Sequence, residues 1–345
     1  MTADRCFRRR LPFYFICSYN ARMIRLIVNA DDLGSSPPRD RGIFHAFAHG
    51  IVTSASLLAT GASFRMAAHE VKALALPVGI HLNLSEGYAL AGAIAGLTDA
   101  AGNFPGKTAL RKILLAGAFD AAGVRRELLA QVACVRDAGI TPDHLDTHQH
   151  CLLFPALTGI IAEVAATTGI RALRLPLPAE SGGGNSCAGD SAVCPVGSAT
   201  SAGSSAADGS QTEVLPEGVR CSVAGTPPPD RDGLQTLSAE LILYRQLAPA
   251  ARQLLHDRQL WTPDGLWGMP LLNRLDEATL AETLARIQPG TWELMTHPGR
   301  VNPAEPFGGP EREVELHALT APAVRRLVAD RGIELTTFGT CACGC

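Results

Sequence analysis

The sequence predicts an α/β fold, a distorted (β/α) barrel of seven or eight parallel strands, and three observations point to it. From Met23 onward, short apolar runs alternate with longer stretches of helical periodicity, the pattern of successive βα units on a parallel sheet. Polar clusters recur where the strands should end, the place at which barrel enzymes carry their functional groups. The chain is 46% hydrophobic and 18% charged over 345 residues, enough apolar surface for a large core, and barrels of this kind reach such lengths as one unit.

Residues 1–22 stand apart from that rhythm. Arg8-Arg9-Arg10 followed by Leu11-Pro12-Phe13-Tyr14-Phe15-Ile16-Cys17 imitates a basic and then apolar leader, but the run is short, contains Pro12 and ends in Ser18-Tyr19-Asn20. Met23 is a second candidate start, followed at once by strand-like Ile24-Arg25-Leu26-Ile27-Val28. The first 22 residues are therefore read as a disordered start-site extension, with a secretory signal as the alternative.

Residues 26–30 form the first strand and 39–49 the first helix, closed by Gly50. A strand over 51–58, a helix over 64–76 stopped before Pro77, and a strand over 78–84 follow. An amphipathic helix spans 124–137 and ends at Gly139; residues 144–150 are polar but fall where the alternation requires a strand. Residues 155–168 are the next helix and 170–175 the next strand. Residues 180–233 are dominated by Ser, Gly, Ala, Pro and Asp, which cannot bury enough apolar surface to offset their ordering entropy. They are read as a low-complexity insertion within a single 23–340 domain. Regularity returns with a helix over 237–257, strand 266–269, helix 277–287, strand 292–296, helix 312–330 and strand 333–338, leaving a Cys-rich tail at 341–345.

The formal charge of −3 comes without a long basic run, which excludes a phosphate-backbone partner and favours a small neutral or sugar-like ligand. Of the ten cysteines, Cys187, Cys194 and Cys221 lie in the insertion and Cys341, Cys343 and Cys345 in the tail, and neither set has metal-binding C-x-x-C spacing. Cys134 and Cys151 fall in apolar periodic segments and read as buried thiols, so a reducing, cytoplasmic compartment is expected. No segment approaches the roughly 18 consecutive apolar residues that a membrane span needs.

The chemistry lies at the strand ends. Asn29-Ala30-Asp31-Asp32-Leu33-Gly34 closes the first strand; one Asp alone would read as a turn or helix cap, but two adjacent carboxylates repel, and a bound cation keeps both ionised. His81 stands in an otherwise mostly apolar strand, where a lone histidine is ordinarily a satisfied core residue. His144-Leu145-Asp146-Thr147-His148-Gln149-His150 puts His144, Asp146, His148 and His150 on one face of a strand by its period of two, a density that points to metal binding or catalysis rather than a solvated edge. Glu293-Leu294-Met295-Thr296-His297-Pro298-Gly299 brings another histidine to a strand end, and Arg174 is either a surface charge or a brace for an active-site carboxylate. Five such sites at consecutive strand ends argue together for an active site.

Asn29-Ala30-Asp31-Asp32-Leu33-Gly34, Gly79-Ile80-His81-Leu82, Asp146-Thr147-His148-Gln149-His150 and Thr296-His297-Pro298-Gly299 together resemble the YdjC-like carbohydrate deacetylase family, which includes chitooligosaccharide deacetylases and a hopanoid-biosynthesis branch. The resemblance spans nearly all of the chain except the extension, the insertion and the tail. It implies a divalent metal held by Asp32, His81 and His148, magnesium by family habit although the imidazoles suit zinc, and hydrolysis of an N-acetyl group on a short N-acetylglucosamine-containing glycan. By similarity to the wider polysaccharide deacetylases, Asp31 is the base, His297 the acid, and Arg174 resembles the arginine that holds the base; Asp146 and His150, from the same cluster as His148, are read as further base-orienting or substrate-binding groups. The implied partner is a small carbohydrate, free or lipid-linked, with homo-oligomers left open. A metal-dependent phosphoesterase or other hydrolase on a barrel, or a sugar-binding protein that keeps the barrel without the chemistry, are the alternatives. The long insertion after Pro176 departs from the pattern and bears on substrate choice, because barrel loops set specificity.

Overall fold

A computed structural model describes residues 23–179 and 231–343; the 1–22 extension, most of the expected insertion and the last two tail residues lie outside the described residues. The chain runs β1 (Ile24–Leu33), α1 (Pro37–His49), β2 (Ser54–Leu57), α2 (Phe64–Leu74), β3 (Val78–Leu82), α3 (Lys107–Ala116), α4 (Ala121–Asp137), β4 (His144–Thr147), α5 (Pro155–Thr168) and β5 (Ala172–Leu173). It continues with α6 (Arg231–Asp257), β6 (Leu266–Trp267), α7 (Glu277–Arg286), β7 (Gly290–Thr296), α8 (Glu311–Thr320), α9 (Pro322–Asp330), β8 (Ile333–Thr336) and α10 (Phe338–Cys343).

The strands lie parallel in the order β5-β4-β3-β2-β1-β7-β6. Two parallel bridges, Ala172 with Trp261 and Pro178 with Leu266, join the ends of that order, so seven strands curl into a distorted barrel. The Leu266 amide donates to Leu177 O at 2.8 Å and the Ala179 amide to Leu266 O at 2.9 Å, which carries the pairing past the short β5. The eighth strand does not join the ring: β8 pairs with β1 over Ile24 to Ile27, while β2 takes up β1 from Asn29 onward. β1 is buried nearly throughout because it has parallel neighbours on both sides, and its sequence is accordingly apolar before Asn29 apart from the half-buried Arg25.

Several expected elements differ in extent. The polar strand predicted over 144–150 ends at Thr147, and a 3-10 segment, His148–Leu153, follows with Gln149 and His150 both at φ 59°. Side chains on that segment no longer alternate, so the expected common face of His144, Asp146, His148 and His150 does not form. The helix expected over 312–330 is two, because Ala321 precedes Pro322 and takes extended backbone, as the ring of a following proline requires. α3 and α10 are additional to the expected elements; the end of the predicted strand over 333–338 and the first tail cysteines are in α10. Cys151 is buried as expected, whereas Cys134 is only half-buried.

Two glycines let the framework close. A Cβ on Gly79 would come within 2.4 Å of the His144 ring, so β3 can lie against that imidazole only with glycine there. A Cβ on Gly42 would stand 2.3 Å from Gly299 Cα, so α1 packs directly on the backbone just beyond β7. Among the described residues no helix is long and apolar enough to cross a membrane.

Candidate active site

The end of β1 sends two carboxylates to two different sets of partners. Asp32 sits at φ 65°, in the left-handed region that Asp tolerates better than most residues. Asp31 remains in the strand and accepts both terminal nitrogens of Arg174 at 2.6 Å, while Asp32 faces the imidazoles of His81 and His148.

Asp32 Oδ1 lies 3.1 Å from His148 Nδ1 and 3.5 Å from His81 Nε2, and those two nitrogens are 3.2 Å apart. Each ring is oriented from behind. His81 Nδ1 meets Asp146 Oδ2 at 2.9 Å, and His148 Nε2 lies 3.5 Å from Glu86 Oε1, which Gln149 Nε2 steadies at 2.9 Å. The free nitrogen of each ring thus points at the same carboxylate oxygen, and that oxygen is buried without a well-formed hydrogen bond. One carboxylate and two imidazoles, each fixed through its other nitrogen by a carboxylate, are the donor set and outer support of a divalent-metal site, so the residues fit such an ion.

The protonation of the ion-free site agrees with that fit. Burial works against a charged His81, but Asp146 and then Asp32 overcome it and raise the pKa to about 10; His148, likewise buried, is raised to about 9 by Asp32 and Glu86. Burial also opposes charge on Asp32, yet the two histidines hold its carboxyl well below the ordinary range. A raised histidine pKa stabilises the ion-free fold below the ordinary value of 6.5, and that contribution is lost as pH rises through about 9 to 10. A cation must displace at least one proton from the gap between the rings, so affinity for Co2+ is expected to rise about tenfold per pH unit for each proton displaced. Titration at pH 6, 7 and 8 checks this; an affinity indifferent to pH would contradict it.

Arg174 is the hub of the other half. It is fully buried and donates from Nε to Glu293 Oε1 at 2.8 Å in addition to its fork on Asp31, while Nη1 also lies 2.7 Å from Asp146 Oδ2. Asn29 Nδ2 donates to Asp31 Oδ1 at 2.8 Å. Burial pushes Glu293 up to about 7 despite Arg174, because Asp31 and Asp146 crowd the same cation.

His297 arrives from the end of β7 with its Nε2 3.9 Å from Asp31 Oδ2. Its backbone is clamped: Arg39 and Arg312 both donate to its carbonyl, at 2.9 and 3.0 Å, and Glu315 accepts its amide at 2.7 Å. Phe307 meets both guanidiniums, at 5.1 and 4.1 Å, and the His297 ring edge-on at 5.2 Å. Burial lowers the His297 pKa to about 3, the pull of Asp31 and Asp32 being too weak to offset it against Arg312 and Arg39. The ring is therefore neutral at rest.

Asp31, Asp32, His81, His148 and His297 line a cavity of about 630 Å³ whose walls also carry Leu58, Met269, Leu272, Met295 and Phe307, a size and lining suited to a small ligand. The fold brings Asp31, Asp32, His81, Asp146, His148, Arg174 and His297 together. His150 lines the same cavity, but its ring packs edge-on against Tyr244 at 5.6 Å, and His144 is sealed in the barrel interior. Glu293 has no place among the predicted site residues although its strand holds a signal for it: Glu293, Met295 and His297 share one face by period two. Glu86, Arg39 and Arg312 carry no such signal, being charged residues on loops and helices.

Residues 25–330 match the YdjC-like protein family. The chain is 35% identical over 334 residues to a Homo sapiens protein named carbohydrate deacetylase, covering 90% of this chain and 89% of that one. It is also 35% identical over 329 residues to the Mus musculus carbohydrate deacetylase, with 90% and 93% covered. The fold is similar to that of a crystal structure from Enterococcus faecalis V583 described as a putative cellobiose-phosphate cleavage protein, at TM-score 0.60 and 21% identity, with 92% of this chain and 99% of that chain covered.

Proposed function

This chain belongs to the YdjC-like protein family, and from that premise we propose that it is a metal-dependent carbohydrate deacetylase removing the N-acetyl group from an amino sugar or short N-acetylglucosamine-containing glycan. The observation that carries the reading is the meeting of Asp31 and His297 at 3.9 Å beside the Asp32, His81 and His148 cluster, on a cavity of about 630 Å³. Asp32, His81 and His148 would hold the ion, magnesium by family habit or zinc by donor type, and when bound it supplies Lewis-acid activation of water and of the amide carbonyl.

The remaining steps belong to the protein's own groups. Asp31, steadied by Arg174 and Asn29, accepts the proton released as water attacks the acetyl carbon. His297 starts neutral and must gain a proton before it can give one, and its 3.9 Å separation from Asp31 provides the route. Burial disfavours the charged ring, so once protonated His297 passes its proton to the departing amine. The clamp on its backbone fixes that ring opposite the base.

Acetate release from N-acetylglucosamine and its short oligomers, by the full chain with added Mg2+ or Zn2+, tests the reading. Activity is expected with at least one of these ions and is expected to vanish with a chelator. Phosphate release from phosphate esters without acetate release would favour a phosphoesterase instead. The second grouping among the described residues, Asp31, His81 and Asp146, does not offer an independent second ion site, because it shares His81 and both of its carboxylates are taken up by Arg174.

A further inference from the structure

We propose that the hydroxyl of Ser56, backed by the buried His144 and its half-buried partner Asp143, is a positioning element that ties the metal-holding half of the site to the base-holding half. The inference rests on the metal-dependent reading above and adds residues to it. Ser56 lies on β2 and is fully buried. Its Oγ donates to Asp146 Oδ2 at 3.0 Å, the same oxygen that receives His81 Nδ1. It accepts from Asn29 Nδ2 at 2.7 Å, and that amide also donates to Asp31 Oδ1. One hydroxyl therefore stands between the carboxylate that orients a candidate metal ligand and the amide that orients the candidate base.

The hydrogen inventory fixes the directions. Asp146, ionised, can only accept, so the Ser56 proton goes to it and a hydroxyl lone pair takes the Asn29 amide; His144 Nε2 stands 3.4 Å from the same oxygen. Asn29 cannot be turned over, because its carbonyl would then face Asp31, and the consequence is visible: Asn29 Oδ1 is buried with no partner. Asp146 shows the same bias. Three donors, from His81, Ser56 and Arg174, converge on its Oδ2, while its Oδ1 is buried with none. Leaving a buried acceptor unmade is costly, so two such oxygens in one hydrogen-bond network mark an arrangement held for orientation rather than for stability.

Behind Ser56, His144 fills the barrel interior. Its Nδ1 meets Asp143 Oδ1 at 2.7 Å, its ring stacks on Phe338 at 3.8 Å between centroids, and Gly79 leaves the room it occupies. Asp143 in turn accepts the Gly339 amide of α10 at 3.0 Å. The C-terminal helix thus secures the imidazole, and the imidazole limits where the Ser56 hydroxyl can move.

The test uses the full-length protein in three variants, Ser56→Ala, Ser56→Thr and His144→Gln. Co2+ is titrated into each ion-free protein and followed by its visible absorption, which reports ligand geometry, and kcat and KM for acetate release are measured at saturating ion. Ser56→Ala is expected to weaken Co2+ binding about tenfold, the lower end of what loss of an outer-shell partner costs. It should also alter the Co2+ spectrum and lower kcat with KM unchanged. Ser56→Thr, which keeps the hydroxyl, should recover most of the affinity, and His144→Gln should shift it in the same direction by less. Should Ser56→Ala fail to fold, the other two carry the test. An unchanged Co2+ affinity and spectrum in Ser56→Ala or, failing that, in His144→Gln would overturn the proposal, as would a wild type that binds no Co2+. A wild type that binds Co2+ yet releases no acetate from any sugar would sink the deacetylase reading, while the positioning role would still be decided by the titration.

Discussion

Asp31→Asn is expected to keep a divalent ion bound and to lose turnover by about a hundredfold or more, the cost of removing a general base. Asp32→Asn, one residue away, is expected to lose the ion. The contrast follows from where each carboxylate points. Asp31 Oδ1 and Oδ2 are engaged by Arg174 and Asn29, and Oδ2 stands 3.9 Å from His297 Nε2. Asp32 Oδ1 faces both His148 Nδ1 and His81 Nε2. An amide oxygen at position 31 still accepts hydrogen bonds but is not a useful base, and at position 32 it is no longer an anionic ligand. Metal content by elemental analysis, with acetate release on the same preparations, decides the assignment. Ion loss from Asp31→Asn with retention in Asp32→Asn would reverse the roles, and equal loss from both would mean that the pair binds jointly.

The barrel and the main site groups are legible in the sequence because strand ends are punctuated by polar residues that an apolar strand has no reason to carry. Asp31, His81 and His297 each interrupt or follow a largely apolar buried strand, and a parallel strand buried on both faces makes such interruptions conspicuous; Asp146 stands out instead by the density of His and Asp around it. What the sequence leaves hidden is set by backbone geometry. The turn of the chain at Gln149 and His150 into the left-handed region removes His150 from the face of Asp146, and neither residue type announces that conformation. His144 has the same composition signal as its neighbours yet lies in the interior against Phe338, a contact across nearly two hundred residues that no local pattern encodes. The Arg39 and Arg312 clamp is hidden for the same reason, since its target is the backbone carbonyl of His297.

Arg174→Met carries the largest expected effect on stability, and the effect should depend on pH in a defined direction. The guanidinium is wholly buried and its nitrogens reach three carboxylates, Asp31, Asp146 and Glu293. Methionine fills comparable space but leaves those groups without a counter-charge, a change that costs about 3–5 kcal/mol when one partner of a buried ionic cluster is removed. That is a large share of the roughly 5–15 kcal/mol that holds a typical domain together. In the wild type, burial opposes charge on Asp146, but His81 and Arg174 keep its carboxyl below the ordinary value of 3.8; the stability it contributes is present above that value and is lost only as pH falls through its folded pKa. Glu293 has the opposite sign: burial places it at about 7 against an ordinary 4.5, so ionising it in the fold costs stability that begins above 4.5 and is complete above about 7. Without Arg174 the folded-state pKa values of Asp146 and Glu293 rise, and the window of lost stability widens upward. The deficit of Arg174→Met relative to wild type should therefore be largest near pH 8 and shrink toward pH 5, where protonation replaces the missing cation. Arg174→Lys should fall between the two, because an ammonium restores the charge but cannot form the two-pronged contact on Asp31. Urea unfolding of the chelator-treated proteins at pH 5, 6, 7 and 8, free of metal linkage, measures this directly. A deficit that stays constant with pH would mean that the loss arises from packing and not from the three unpaired carboxylates.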